Sequence, residues 1–280
     1  MQQDLLPDDL FDQFRALIYR TTGISIPETK RVMLSNRLNR RVKATGDATF
    51  ESYYARLASG ADRAELARFV DAVTTRETYF FRDPHHFRWL AHRFSQELVD
   101  RNRLGKHGRS MAIWSAACSG GEELYSILIR LAEAQQPPAS WALKALGTDI
   151  SEAALQSARE ARYGDRSLRL VTEAERKRWF TFDAASSRWK LNDDLRARAT
   201  FRAHNLLYPM RDGPFDCIFL KNVLIYFDAE SKARVVKQMI GALAPGGYLV
   251  VGPTEGVYGM LEPLERIESW LYRRPDGGGR

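Results

Sequence analysis

Residues Ile113 to Tyr125, IWSAACSGGEELY, contain the pattern that decides the fold. The apolar run Ile113–Ala117 predicts a strand, and helical spacing begins at Glu122, directly after the tight turn Ser119–Gly121. Glycine has no Cβ and tolerates positive φ, so such a turn lets a ligand approach the backbone closely. The stretch therefore predicts a strand, turn and helix unit of a ligand-binding α/β domain.

The first turn of that helix carries two glutamates, Glu122 and Glu123. A helix N-terminus attracts anions, but two carboxylates there would repel a pyrophosphate and attract a cation. S-adenosylmethionine, with its sulfonium and ammonium groups, therefore fits better than a nicotinamide dinucleotide. The alternative, that both glutamates only complement the helix dipole, stays open at this point.

Composition bounds the class of protein. A chain of 280 residues with 44% hydrophobic content predicts one sizeable core and a smaller module. No apolar stretch approaches the roughly 18 residues of a membrane span, and the first residues lack a basic start before an apolar run, so we expect a cytoplasmic protein without membrane insertion. The net charge of +7 suggests an acidic partner.

The cysteines and histidines indicate no special chemistry. Cys118 and Cys217 both fall in predicted buried strands, where cysteine acts as a small apolar side chain. The five histidines have no metal-ligand spacing, so we expect no metal site.

Residues 1–73 read as a helical domain. Apolar spacing predicts a helix from Asp9, a second from Glu28 to Ala44, and two more at Phe50–Leu57 and Arg63–Val73. The second helix carries six positive charges and no acid between Lys30 and Lys43. Two interpretations remain open for this basic face: a solvated surface, or a docking surface for a negatively charged partner. The candidates for docking are Arg37, Arg40 and Arg41.

The sequence predicts that residues 74–109 form a connecting segment. Its start, Thr74 to Phe87, reads TTRETYFFRDPHHF and mixes polar and aromatic residues without clear periodicity, which favours an ordered connection. Arg82 could clamp a carboxylate through two parallel hydrogen bonds, although it could also be an ordinary surface arginine.

The sequence predicts that residues 110–274 form the α/β domain. A second strand, Leu143–Gly147, is followed by Asp149, and Ser151 can cap the helix after it. In nucleotide-binding α/β units an acidic residue after the second strand accepts hydrogen bonds from ribose hydroxyls. Asp149 is in that place, with a role as an N-terminal helix charge as the alternative.

The strand and helix alternation breaks between about 165 and 200, which predicts a small insert with a capping box at Thr172 and Glu175. It resumes with strands at Thr200–His204 and Phe215–Leu220. A helix from Ala229 to Ala244, a strand at Tyr248–Gly252 and a final antiparallel strand at Ile267–Arg273 follow. We expect the tail, 275–280, to be disordered.

Several stretches together resemble one family, the chemotaxis receptor glutamate O-methyltransferases (CheR). They cover nearly the whole chain in the right order, and TxETxFFR with NVLIYFD is far more specific than a glycine turn. The stretches are TTRETYFFRDPHHF, WSAACSGGEELYS, GTDIS, NLL at Asn205–Leu207, FDCIFLKNVLIYFD and LAPGGYLVVG.

The resemblance implies a class I, Rossmann-like methyltransferase fold with a mostly parallel seven-stranded sheet, an all-α N-terminal domain and a small inserted β-subdomain. It implies transfer of a methyl group from S-adenosylmethionine to glutamates of chemoreceptors, with S-adenosylhomocysteine as product and the receptor's cytoplasmic helical bundle as partner. It implies one cofactor contact from Glu122 or Glu123, and a pocket shaped by Tyr226. The remaining implied cofactor contacts are Thr78, Arg82, Asp149, Asn205, Leu206, Asn222 and Val223.

Two positions depart from the family pattern, which usually has asparagine at Arg76 and arginine at Lys221. No contact is carried over to either. The insert is also short, which leaves open whether it binds a receptor's C-terminal peptide, as it does in some members.

Two alternatives stand beside this interpretation. A nucleic-acid methyltransferase would suit the positive charge, but the Asn/Asp-Pro-Pro-aromatic run that holds a flipped base is replaced by Asn222 to Ile225 without prolines, and neither cysteine is placed for C5 methylation. A non-catalytic scaffold that senses the cofactor is the second alternative. We expect a monomer that binds no nucleic acid.

Overall fold

The computed structural model describes residues 5–277, and its N-terminal part is helical. Helix α1 ends where Gly23 adopts a left-handed conformation, φ 77°, and its N–H bonds to the carbonyl of Tyr19. Phe14, Tyr53 and Phe69 lie at the centre of a core that the four helices share. The helices are α1 Asp8–Thr22, α2 Arg31–Thr45, α3 Phe50–Ala58 and α4 Arg63–Val73, with a 3₁₀ turn at Glu28–Lys30 before α2.

The segment after α4 is irregular but anchored. Phe80, Phe81 and Phe87 are buried in the core of the α/β domain, which confirms an ordered connection. The chain then runs as α5 Pro84–Trp89, a π-helical turn Leu90–Phe94 and α6 Ser95–Arg103.

Within residues 5–277 the α/β domain has a seven-stranded sheet in the order β6-β2-β1-β7-β8-β10-β9, parallel except where β10 pairs with β8 and β9. This confirms the predicted mostly parallel sheet and the antiparallel end. Its strands are β1 Ser110–Ala116, β2 Ala142–Asp149, β6 Ala199–Ala203, β7 Phe215–Leu220, β8 Leu243–Val251, β9 Glu265–Arg266 and β10 Leu271–Arg273.

The central strands are apolar on both faces because helices cover both sides. Ile113 of β1 packs in one core cluster with α7, and its neighbour Trp114 packs in the other with α11. The helices of this domain are α7 Glu122–Glu133, α8 Glu152–Glu160, α9 Glu173–Trp179, α10 Asp193–Arg196 and α11 Ala229–Ala242.

The predicted insert contains a small antiparallel sheet, β3-β5-β4, and the capping box at Thr172 is present. The sheet begins upstream of 165, because β3 already lies at Arg162. Its strands are β3 Arg162–Tyr163, β4 Phe180–Asp183 and β5 Arg188–Leu191.

Four local predictions were wrong. Cys118 lies in the turn after β1 rather than in a strand, between Ala117 and Ser119, which both have positive φ. Helix α11 ends at Ala242, and β8 already begins at Leu243. The last predicted strand is shortened to Leu271–Arg273. The tail is held at Asp276, which pairs with Arg101 and Arg273; residues 278–280 of the predicted disordered tail lie outside the described residues.

In the part of the chain that the structure describes, no helix is both long and apolar enough to span a membrane.

Candidate functional site

A cavity opens at the carboxyl ends of β1, β2 and β7, beside the point where the strand order reverses. It contains about 970 Å³ of unfilled space, its open mouth included. The turn after β1 forms one wall, and Gly121 is required there: its φ is 87°, and a Cβ would lie 2.9 Å from the Cβ of Ala158.

The structure brings together all but one of the residues predicted to contact the cofactor, although their roles as contacts remain predictions. Glu122 is the exception. Those that line the cavity are Thr78, Arg82, Glu123, Asp149, Asn205, Leu206, Asn222 and Val223, together with Tyr226.

Glu122 and Glu123 have different surroundings. Glu122 is buried behind the turn, where Ser167 of the insert donates to its Oε1 at 3.1 Å; burial raises the pKa of Glu122 to about 7. Glu123 lies in the cavity wall, where its Oε1 accepts from the Ser115 hydroxyl at 2.8 Å. Of the two, Glu123 is therefore the one placed to face a cationic ligand.

Asp149 is fixed by the backbone on both sides. Its Oδ2 accepts from the N–H of Ser119 at 2.9 Å, and its Oδ1 accepts from the N–H of Ser151 at 2.9 Å. Burial raises the pKa of Asp149, opposed by these hydrogen bonds. The Ser151 hydroxyl also accepts from Ala154, so the predicted helix cap is present too.

The segment that carries Thr78 and Arg82 forms another wall of the cavity. Phe81 and Asp83, on either side of Arg82, both have φ 58°. Within residues 5–277 no carboxylate pairs with the Arg82 guanidinium, which lies over the ring of Tyr79 at 5.6 Å. Arg82 is therefore placed to receive a carboxylate from a ligand.

The loop after β7 is held by a residue that the sequence analysis missed. Buried Glu255 accepts from the N–H groups of Asn222 and Leu224, the latter at 2.8 Å, and keeps Asn222 at φ 59°. N–H groups of one turn that converge in this way form a concavity for an anion, which here is the Glu255 carboxylate. Glu255 follows a strand by four residues in an ordinary loop, and no sequence signal distinguishes it.

The N-terminal domain supplies part of the cavity. Thr22 and Ile24 line it, and the N–H of Ser25 donates to the carbonyl of Tyr226 at 2.9 Å. The Asn205 amide donates to the carbonyl of Thr21 at 2.9 Å, so its side chain links the two domains. Sequence reasoning missed these contacts because they join residues about 200 positions apart.

The three arginines predicted to dock a partner differ in exposure and in their hydrogen-bond partners. Only Arg40 is exposed. Arg37 donates to the carbonyls of Val73 and Thr74, at 2.5 and 3.2 Å. Arg41 makes two hydrogen bonds, at 2.6 and 3.0 Å, to Glu65, whose side chain is 1% exposed. The Arg41 guanidinium is therefore occupied inside the domain, which argues against a docking role for this residue.

The two cysteines are not activated, and the described residues do not form a metal site. Cys118 and Cys217 are buried, and burial raises the pKa of both thiols, so neither is an activated nucleophile. Among the described residues, no cluster of three or more histidine, cysteine, aspartate or glutamate side chains is arranged to hold a metal ion.

The carboxylates of this site fit S-adenosylmethionine, which is a cation with ribose hydroxyls. Asp149 offers a partly buried carboxylate at the end of β2, and Glu123 offers a second one in the first turn of α7, where a phosphate-binding site would need donors instead. With the strand order of the sheet, this donor set is typical of a class I methyltransferase that uses S-adenosylmethionine.

Comparisons with known proteins agree over almost the whole chain. The family model "CheR methyltransferase, SAM binding domain" matches residues 76–271, and "CheR methyltransferase, all-alpha domain" matches residues 9–74. The chain belongs to the CheR methyltransferase family and is a methyltransferase that uses S-adenosylmethionine.

Three similar proteins are chemotaxis protein methyltransferases by name. The one from Vibrio parahaemolyticus is 34% identical over 266 residues, 94% of each chain. A probable one from Rhizobium etli is 36% identical over 262 residues, 92% of this chain and 96% of its own. Chemotaxis protein methyltransferase 1 of Pseudomonas aeruginosa is 34% identical over 265 residues, 92% of this chain and 94% of its own.

Proposed function

We propose that this protein methylates the γ-carboxyl groups of glutamates on the cytoplasmic helical bundle of chemotaxis receptors, and that it acts as a monomer in the cytoplasm. The observation that carries the proposal is the similarity, over 92–94% of the chain, to proteins named chemotaxis protein methyltransferases, joined to a cavity that fits S-adenosylmethionine. Arg82, a guanidinium without a carboxylate partner among the described residues, would receive the carboxylate of the bound cofactor in the wall of this cavity.

The residues around the cavity have separable tasks. Asp149 and Glu123 hold the cofactor by the ribose and the cationic end. Tyr226, held through its carbonyl by Ser25, bounds the acceptor side, and Val223 and Phe227 exclude water. The bound cofactor supplies a methyl group activated by a sulfonium.

No general base is required from the protein. The pKa of a free glutamate is near 4.3, so the receptor carboxylate is ionised at neutral pH. The task of the pocket that Tyr226 shapes is to orient that carboxylate at near-attack distance, which is proximity rather than proton transfer.

Incubation with methyl-labelled S-adenosylmethionine and chemoreceptor cytoplasmic fragments tests the proposal. Label should enter the fragment, and kcat at saturating receptor should vary little between about pH 6 and 8. Because burial raises the pKa of Glu122 to about 7, only a rate limb near pH 7 that persists in Glu122→Gln would contradict transfer without a base. Label in nucleic acid and none in receptor would support the alternative substrate.

Receptor docking is proposed for the exposed charges of α2. Arg40 and Lys43 are both exposed and lie three residues apart on one helix face. Burial lowers the pKa of Arg37, and the charges of Arg40 and Arg76 lower it further, which supports a positive field between α2 and the cavity mouth, where Arg76 lies. An acidic helical bundle would be attracted to this side of the molecule.

The double substitution Arg40→Glu with Lys43→Glu tests docking without disturbing the Arg41 ion pair. We expect kcat/KM for receptor to fall by roughly tenfold at low ionic strength, with a smaller difference at high salt, since rim charges act mainly on association. Cofactor affinity, measured by calorimetry, should not change.

The matched control is Arg103→Glu with Lys106→Glu. Both residues are exposed, the change in net charge is the same, and they precede the amino end of β1, opposite the cavity. If both double variants methylate receptor equally well, the basic face of α2 is only a solvated surface.

A further inference from the structure

Lys221 is a buried lysine in the wall of the cavity, and neither the sequence analysis nor the family match assigns it a role. It is the first residue after β7, and its side chain is 1% exposed. Its Nζ donates to the carbonyl of Arg82 at 3.0 Å. The same atom lies 3.1 Å from Oδ2 of Asp83 and 3.5 Å from Oε2 of Glu123.

The ammonium joins two separate parts of the site. Arg82 and Asp83 belong to the irregular segment between α4 and α5, and Glu123 belongs to the first turn of α7. Positive φ at Phe81 and Asp83 costs free energy and persists only when surrounding contacts enforce it. The hydrogen bond from Lys221 to the Arg82 carbonyl is one such contact.

The charged groups around Lys221 determine the net charge that a cationic ligand meets in this part of the cavity. Asp83, Glu123 and His86 face it, and the ring of Phe87 lies 5.4 Å from Nζ. Burial, together with the charge of Lys221, lowers the pKa of His86 to about 2, so this imidazole is neutral. Two carboxylates around one ammonium leave a single net negative charge.

We propose that Lys221 is a positioning residue for cofactor binding: its ammonium offsets the charges of Asp83 and Glu123, orients Glu123 toward the cavity, and ties the Arg82 segment to the sheet. Without it, two partly buried carboxylates lose the ammonium that they share, and like charges close to one another disfavour ionisation of both. One of them then takes up a proton, which the cationic cofactor must displace.

Calorimetry of S-adenosylmethionine binding to Lys221→Met in buffers of different ionisation enthalpy measures that proton. Between about pH 5.5 and 7 the amino group of the cofactor stays protonated. On binding the cofactor, the variant should release up to about one proton more than the unmodified protein. As the pH rises, its dissociation constant should approach that of the unmodified protein, by up to about tenfold per pH unit. Glu122 titrates in this range in every variant, so the difference between variants is the readout.

Lys221→Arg keeps the positive charge and should release no additional proton. Lys144→Met is the control for loss of a lysine, because Lys144 is exposed on β2 and does not line the cavity. If Lys221→Met does not fold, Lys221→Gln, which keeps a polar donor, carries the same expectation. A neutral variant that folds, binds within twofold of the unmodified protein and releases no additional proton would overturn the proposal. This test uses the cofactor alone, so its outcome is independent of the receptor substrate.

Discussion

Asp149→Ala is expected to weaken binding of S-adenosylmethionine by about 10- to 150-fold. A hydrogen bond to a charged group is worth about 1.5–3 kcal/mol, and each 1.4 kcal/mol is a factor of ten. The carboxylate is already desolvated and oriented by the N–H groups of Ser119 and Ser151, so little of this energy is lost to reorganisation when the ribose binds. Calorimetry measures the dissociation constant directly.

Glu152→Ala is the matched control for Asp149→Ala. Glu152 lies three residues further along, at the start of α8, is exposed, and pairs with Arg159. It should leave the dissociation constant unchanged. If Asp149→Ala keeps full affinity and its thermal stability, Asp149 does not hold the cofactor.

Arg41→Ala is expected to destabilise the N-terminal domain by about 3 kcal/mol. It would leave Glu65 buried without its bidentate partner, and breaking a buried ion pair costs about 3–5 kcal/mol. We expect the lower end of that range, because Arg68 lies 3.7 Å from Glu65 and the Tyr53 hydroxyl still donates to it at 2.8 Å.

Urea unfolding followed by far-ultraviolet circular dichroism measures this loss, because all six tryptophans lie at residue 89 or later and do not report on the N-terminal domain. Arg40→Ala, one position away and exposed, should stay within about 0.5 kcal/mol of the unmodified protein. Equal unfolding free energies for the two variants would show that the Arg41–Glu65 pair adds no stability.

The elements of the fold follow from local patterns, which explains why they were predictable. The run Phe215–Leu220 is apolar except for Asp216 and is a fully buried strand with the predicted bounds. Gly23 ends α1, and Ser151 caps α8, because both act within one helical turn. The end of α11 was missed, because β8 begins directly after Ala242 and includes the Pro-Gly-Gly run that reads as a stop.

The site was predictable only where function leaves a local motif. Asp149 follows a strand, and Glu123 begins a helix, so position along the chain indicated both. Nothing local separates Arg40 from Arg41: they are neighbours of the same charge, and only tertiary packing places one in solvent and the other against Glu65. The role of Glu255 could not be predicted for the same reason, because its hydrogen-bond partners lie more than 30 positions away in the sequence.

The chemistry of the product tests the central claim most directly. A receptor fragment labelled by this protein should release its label as methanol in mild alkali, because a glutamate methyl ester is base-labile. A matched fragment with glutamine at the acceptor glutamates should take up no label. Label that stays on the fragment through alkali treatment, or that enters the glutamine fragment equally, would contradict methylation of receptor glutamates.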